Sequence, residues 1–255
     1  MNPNTNPTDI GRNRTGIGTS PVHSREMEEA ARQSPPVGNA ADFDILRTEV
    51  SRIAPPIGTV PPPTTLKGVA KAAAKALQGR SAAAFIDKLT ERLAFERTGI
   101  RLYEAVIATL PASDIGKGTL TADAVNGLRD EEHQHVALAR EALEELGADP
   151  TAQTPCADLA GVQGHGLVQS VSDPRMTLTQ RLSSILIAEL TDNDGWTLLI
   201  EMADNIGLRD LGERFSHALA QEERHLELVR TWLRERLNVQ LVGEAEVAAP
   251  EQPQA

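Results

Sequence analysis

The chain has 255 residues, a formal net charge of −11, 3% aromatic residues and one cysteine, Cys156. A single cysteine excludes an intrachain disulfide and any Cys-based zinc or iron–sulfur site, and no apolar run approaches the ~18 residues that a membrane span needs. Charge is uneven: residues 1–80 hold ten Lys/Arg against seven Asp/Glu (+3), and the remainder holds fifteen against twenty-nine (−14). An acidic body repels phosphates, so neither nucleic acid nor a membrane is expected as a partner.

The first residues, MNPNTNPTDIGRNRTG, contain no apolar h-region, which predicts no secretory signal and, with the lone cysteine, a cytoplasmic protein. Residues 1–65 contain ten of the sixteen prolines, including PPIGTVPPP at 55–63, and read as extended or disordered chain. Two islands interrupt the 1–80 extension. FDILRTEVSRI (43–53) fits a short docking helix, and LKGVAKAAAKALQG (66–79) fits an Ala/Lys helix. The 43–63 piece is expected to wrap onto the rest of the protein, since its apolar residues would otherwise face water.

From residue 81 the pattern changes to long helical periodicity with few prolines. It predicts four helices over about 81–110, 121–146, 175–205 and 208–237, leaving 238–255 as a C-terminal tail. Ser81 fits a cap for the first, Gly147 a stop for the second, and Asp173-Pro174 a start for the third. Short links join the first two helices and the last two, which favours antiparallel neighbours. The 147–174 connection is long enough to bring the third helix in parallel to the second. The expected fold is all-α, a four-helix bundle over 81–237 with one long crossover.

Written as 4,3-spaced stripes, the four helices share one irregularity. The first reads Ile86, Leu89, Leu93, Glu96, Ile100, Tyr103, Ile107, Leu110. The second reads Val125, Leu128, Glu132, His135, Ala139, Ala142, Leu146. The third reads Leu178, Leu182, Ile185, Glu189, Asp192, Trp196, Leu199, Ala203, Ile206. The fourth reads Leu208, Leu211, Phe215, Ala218, Glu222, His225, Val229, Trp232. Each apolar seam is broken near its middle by ionisable residues.

Buried carboxylates without compensation cost several kcal/mol each. Two divalent ions would balance the four glutamates, and Glu-x-x-His places both side chains on one helical face to reach a common ion. Mixed oxygen and nitrogen ligation suits iron or manganese, with zinc less favoured. The competing arrangement is a buried salt-bridge network with arginine, but no seam carries Arg or Lys at this level.

At AFERTGIRLYEA (94–105), DEEHQHV (130–136), AELTDND (188–194) and QEERHL (221–226) the chain resembles the ferritin-like superfamily of di-metal carboxylate bundles. Glu96 followed seven residues later by Tyr103 is similar to the rubrerythrin branch, and Asp192 stands where that branch often has a second third-helix carboxylate. The resemblance covers roughly 81–237. One cysteine rules out the rubredoxin iron that rubrerythrins often carry, and ferritin cage subunits lack a proline-rich leader of this length.

The resemblance implies metal ligands Glu96, Glu132, His135, Glu189, Glu222 and His225, with Asp192 as a further candidate and Tyr103 as a donor to a ligand. It also implies two iron ions, reaction with O2 or H2O2 as a ferroxidase or peroxidase with an external electron donor, and a homo-oligomer. The alternatives are a dimanganese catalase and a module in which the metal is only a staple.

Trp196 and Trp232 are expected in the core, and His133, His217, Glu131 and Glu223 on the surface. Cys156 is expected in a loop. Gly99, inside the first helix, implies close approach of another helix or chain.

Overall fold

Seven α-helices and no strand form among the described residues of the computed structural model, which are 21–34, 40–55, 57–63, 82–113 and 118–242. The chain divides into two units, residues 1–55 and 56–255. The first unit holds α1 (Pro21–Gln33) and α2 (Ala40–Ile53). α2 coincides with the 43–53 island. It has no buried residue, and Phe43, Ile45, Leu46, Val50 and Ile53 are exposed.

α1 corrects the reading of its stretch as extended chain. Pro21 takes the first helical position, the segment PVHSREMEEAARQ is rich in good helix formers, and Glu28 pairs with Arg32 one turn on at 3.1 Å. The Ala/Lys island at 66–79 and the Ser81 cap lie outside the described residues.

The second unit contains α3 (Ala82–Thr109), a 3-10 turn (Leu110–Ala112), α4 (Ala122–Glu145), α5 (Pro155–Ser172), α6 (Leu178–Asn205) and α7 (Arg209–Val242). α3, α4, α6 and α7 match the four helices the periodicity predicts, with α7 continuing past residue 237. Gly147, at φ +77°, follows the end of α4 in the left-handed conformation that glycine adopts without strain.

α5 is the helix that periodicity did not reveal. Its start is locally encoded: the Thr154 hydroxyl accepts the Ala157 N–H at 3.3 Å, and Pro155 occupies the first turn. Gly161, Gly164 and Gly166 lower its intrinsic propensity, so its stability comes from packing on α3. A Cβ on Gly164 would stand 2.9 Å from the Thr98 side chain, so the glycine lets the two helices approach. Cys156 therefore lies in the first turn of a helix, with its N–H donated to Asp87 at 3.0 Å. Asp173 ends α5 rather than starting α6, which begins at a Thr177–Gln180 capping box.

α3 packs on α4, α5 and α6, and α6 packs on α7. The buried apolar residues form two clusters. One includes Leu102, Val106, Val125, Leu128, Leu182, Ile185, Val229 and Trp232. The other includes Leu89, Leu93, Ala139, Leu143, Trp196, Leu199, Phe215 and Ala218, with Val60 at its edge. Residues 57–63 thus reach the second unit's core through Val60.

Along α3 and α7 the chain runs from the second cluster to the first; along α4 and α6 it runs the other way. α3 is therefore antiparallel to α4, α6 is antiparallel to α7, and α4 and α6 are parallel. Each helix passes between the clusters through a short polar stretch. No helix among the described residues is long and apolar enough to cross a membrane.

The α3–α5 contact predicts opposite effects for two substitutions on one helix. Gly164→Ala should lower the unfolding free energy by about 1–3 kcal/mol through overpacking against Thr98. Gly161→Ala, where a Cβ meets nothing within 4 Å, should raise it by about 0.5–1 kcal/mol. Urea denaturation of both variants checks the pair; equal effects would mean that α5 does not pack at Gly164.

Candidate metal centre

Between the two apolar clusters, α3 contributes Glu96, α4 Glu132 and His135, α6 Glu189 and Asp192, and α7 Glu222 and His225. All seven are at most 1% exposed. Six of them assemble into two overlapping groups that could hold a metal ion: Glu96, Glu132, His135 and Glu222, and Glu132, Glu189, Glu222 and His225. Within each group the candidate donor atoms lie within 4.8 Å of one another. Glu132 and Glu222 belong to both.

Both imidazoles aim Nδ1 into the carboxylates. His135 Nδ1 lies 2.7 Å from Glu222 and 3.5 Å from Glu96. His225 Nδ1 lies 3.4 to 3.7 Å from Glu222, Glu132 and Glu189.

Whether these residues suit a metal is tested by their buried atoms. Both oxygens of Glu96, Glu132 and Glu222, one of Glu189, and Nδ1 of both histidines have no aligned hydrogen-bond partner. Buried acceptors left in this state are costly, and cations at the centre of the groups would satisfy them. The donor set of carboxylate oxygen and imidazole nitrogen fits a divalent transition metal.

Two sequence expectations change. Arg92 is buried beside this layer although no seam carries it. Its Nε is 2.9 Å from Glu96, and its guanidinium pairs with Asp192 and lies over the Phe95 ring at 4.9 Å. A Cβ on Gly195 would collide with that guanidinium at 2.1 Å, so glycine there makes the room. Asp192, a candidate ligand, belongs to neither metal group and faces Arg92 instead.

Glu131, expected on the surface, accepts from His225 Nε2 at 2.6 Å and also pairs with Arg224. His135 Nε2 meets the Gln221 amide oxygen at 3.1 Å. Sequence could have flagged Arg92 as one turn before Glu96. Glu131 and Gln221 each directly precede a candidate ligand glutamate and lie off the apolar stripe, which hid them.

Tyr103, from α3, donates its hydroxyl to Glu189 at 2.5 Å. Asn193 donates its amide to the Glu189 and Glu222 carbonyls at 2.9 and 3.1 Å, joining α6 to α7 at this level. Trp196 stands edge-on to His135, with ring centres 5.8 Å apart, and Trp232 is buried in the first cluster. His133, His217 and Glu223 are exposed. Gly99 has a specific neighbour: a Cβ there would lie 2.5 Å from a Glu132 oxygen.

No known protein-family model matches the chain, and no curated protein or solved structure matches it.

The protonation balance follows from the geometry. Burial and the adjoining carboxylates push Glu132 and Glu189 well above the usual range. Burial pushes Asp192 up as well, against the pull of Arg92. For His135, burial works downward but the Glu222 and Glu96 carboxylates outweigh it, lifting it to about 11. Burial would raise Glu222, yet the two imidazoles hold it at about 2.

Glu132, Glu189, Asp192 and His135 therefore bind more protons folded than unfolded above the ordinary carboxylate range. The metal-free protein should lose stability as pH rises from about 5 to 9. Glu222 acts oppositely only below its ordinary value of 4.5. Melting temperatures of metal-free protein at pH 5.5 and 8 check this; a higher value at pH 8 would contradict it.

Gly99→Ala provides a second test. Alanine is favoured over glycine in a helix by about 1 kcal/mol, but its methyl would displace Glu132. Metal retention should fall while circular dichroism remains helical. Unchanged retention would show that Glu132 tolerates the shift.

Proposed function

We propose that residues 82–242 form a ferritin-like four-helix bundle, with α3, α4, α6 and α7 enclosing a two-metal site, and that the protein is a di-iron oxidoreductase acting on O2 or H2O2. The single observation that carries this reading is the pair of metal-holding groups sharing Glu132 and Glu222 in the layer between the apolar clusters. Glu96 and His135 would serve one ion and Glu189 and His225 the other, with Glu132 and Glu222 reaching both. The four glutamates balance two divalent ions, while Asp192 is balanced by Arg92.

Iron(II) bound at the two positions would supply two electrons together to the oxidant. The chain's contribution is positional and dielectric. Tyr103 fixes one oxygen of Glu189 and leaves the other free, and Asn193 keeps the Glu189 and Glu222 helices in register. The apolar clusters on either side exclude bulk water and strengthen every electrostatic contact in the layer. Burial of the layer favours small oxidants over bulky organic substrates. An external donor returning the electrons would make the protein a peroxidase; release of oxidised iron would make it a ferroxidase. Manganese in the same ligands would support peroxide disproportionation.

The same burial favours a second reading, in which the metal is a structural staple without turnover. Anaerobic loading with Fe(II), desalting and metal counting test the site, with the Glu189→Ala/Glu222→Ala double variant as control. Two irons per chain are expected, absent from the control, followed by spectral oxidation on adding O2 or H2O2. Two retained irons that are inert to both oxidants would support the staple. No retained iron, manganese or zinc would leave an Arg-compensated carboxylate network and end the enzyme reading.

A further inference from the structure

The two metal groups are related by an approximate exchange of α4 with α7, because the residue preceding each ligand glutamate supports the histidine of the other helix. Glu131, before Glu132, accepts from Nε2 of His225. Gln221, before Glu222, faces Nε2 of His135. The exchange is not exact: one support is a carboxylate and the other a neutral amide.

The glutamates not shared between the groups differ in the same direction. Glu96, on the His135 side, has the Arg92 cation 2.9 Å away. Glu189, on the His225 side, accepts instead from the neutral Tyr103 hydroxyl.

We infer that the two ion positions are inequivalent, the His225 side filling first and holding its ion, the His135 side being the exchangeable position; this rests on the two-metal reading above. With Nδ1 turned into the cluster, Nε2 carries the proton and donates it outward. A carboxylate acceptor raises the basicity of the ring and strengthens its bond to a metal more than an amide does. Arg224 shares the Glu131 carboxylate and offsets part of its charge, but Arg224 is half exposed and therefore screened by solvent. On the opposite side, Arg92 is shared with Asp192, but it is buried, so no solvent screens the part of its charge that competes for Glu96. Both differences weaken the His135 side relative to the His225 side.

Titration of the metal-free full-length protein with Co(II), followed by calorimetry and visible absorption, tests the inference. Two ions should bind in separate steps, the first at least about tenfold tighter. His225→Ala should remove the tight step, and His135→Ala should keep it. Glu131→Gln, a near-isosteric change at a partly exposed position, should weaken the first step by about 10–100-fold and leave the second nearly unchanged. Gln221→Glu should tighten the second step and narrow the gap.

Two steps of equal affinity, a tight step that survives His225→Ala, or a first step unmoved by Glu131→Gln would each overturn the inequivalence while leaving two-ion binding intact. Fewer than two Co(II) bound by the unmodified protein would instead remove the two-metal reading, and this inference with it.

Discussion

Charge taken out of water must be matched by opposite charge or by protons, and seven ionisable side chains buried in one layer between two apolar clusters place that demand at the centre of this protein. Four glutamates, an aspartate and two histidines face the interior, with the buried guanidinium of Arg92 beside them. Other features of the second unit follow from this layer. Gly99 lacks a side chain where Glu132 needs the space, and Gly195 lacks one where the Arg92 guanidinium lies. Tyr103 and Asn193 are polar residues at helix contacts that would otherwise favour apolar packing, and each is bonded to a member of the layer or to its backbone.

Arg92 sets the charge balance. A layer with no internal cation would demand more positive charge than two divalent ions carry, because Asp192 is buried with the four glutamates. The Arg92–Asp192 pair removes that excess and leaves a glutamate set suited to two ions. The arginine is paid for in packing by Phe95 beneath it and by the missing Cβ of Gly195. Protons are the other available compensation, and the raised Glu132, Glu189 and His135 are what the layer does in the absence of a cation.

The helix order serves the same layer. Because α4 and α6 run parallel and each pairs with an antiparallel neighbour, the midpoints of all four helices meet at one level, and a motif at mid-helix in each becomes a single site. α5 makes that order possible: it spans the crossover as a packed helix on α3 rather than as a free loop. Its glycines, which weaken it in isolation, admit Thr98 at close range.

How much was legible follows from the range of each interaction. Periodicity alone located α3, α4, α6 and α7, because a buried helical face requires apolar residues every three or four positions. The same stripe singled out Glu96, Glu132, His135, Glu189, Glu222 and His225 as charges facing inward. Thr154-Pro155 and the helix-forming composition of 21–33 were also local signals, masked by nearby glycines and prolines. Only the tertiary structure decided what met what. Arg92 lies off its seam and reaches Asp192 about a hundred positions away, and Glu131 and Gln221 act on histidines of the opposite helix. Those contacts depend on helix rotation and neighbour identity, which no single stripe encodes. Sequence by itself determined which faces turn inward; the packing of the four faces decided which inward charges are grouped where they could hold a cation and which take an arginine.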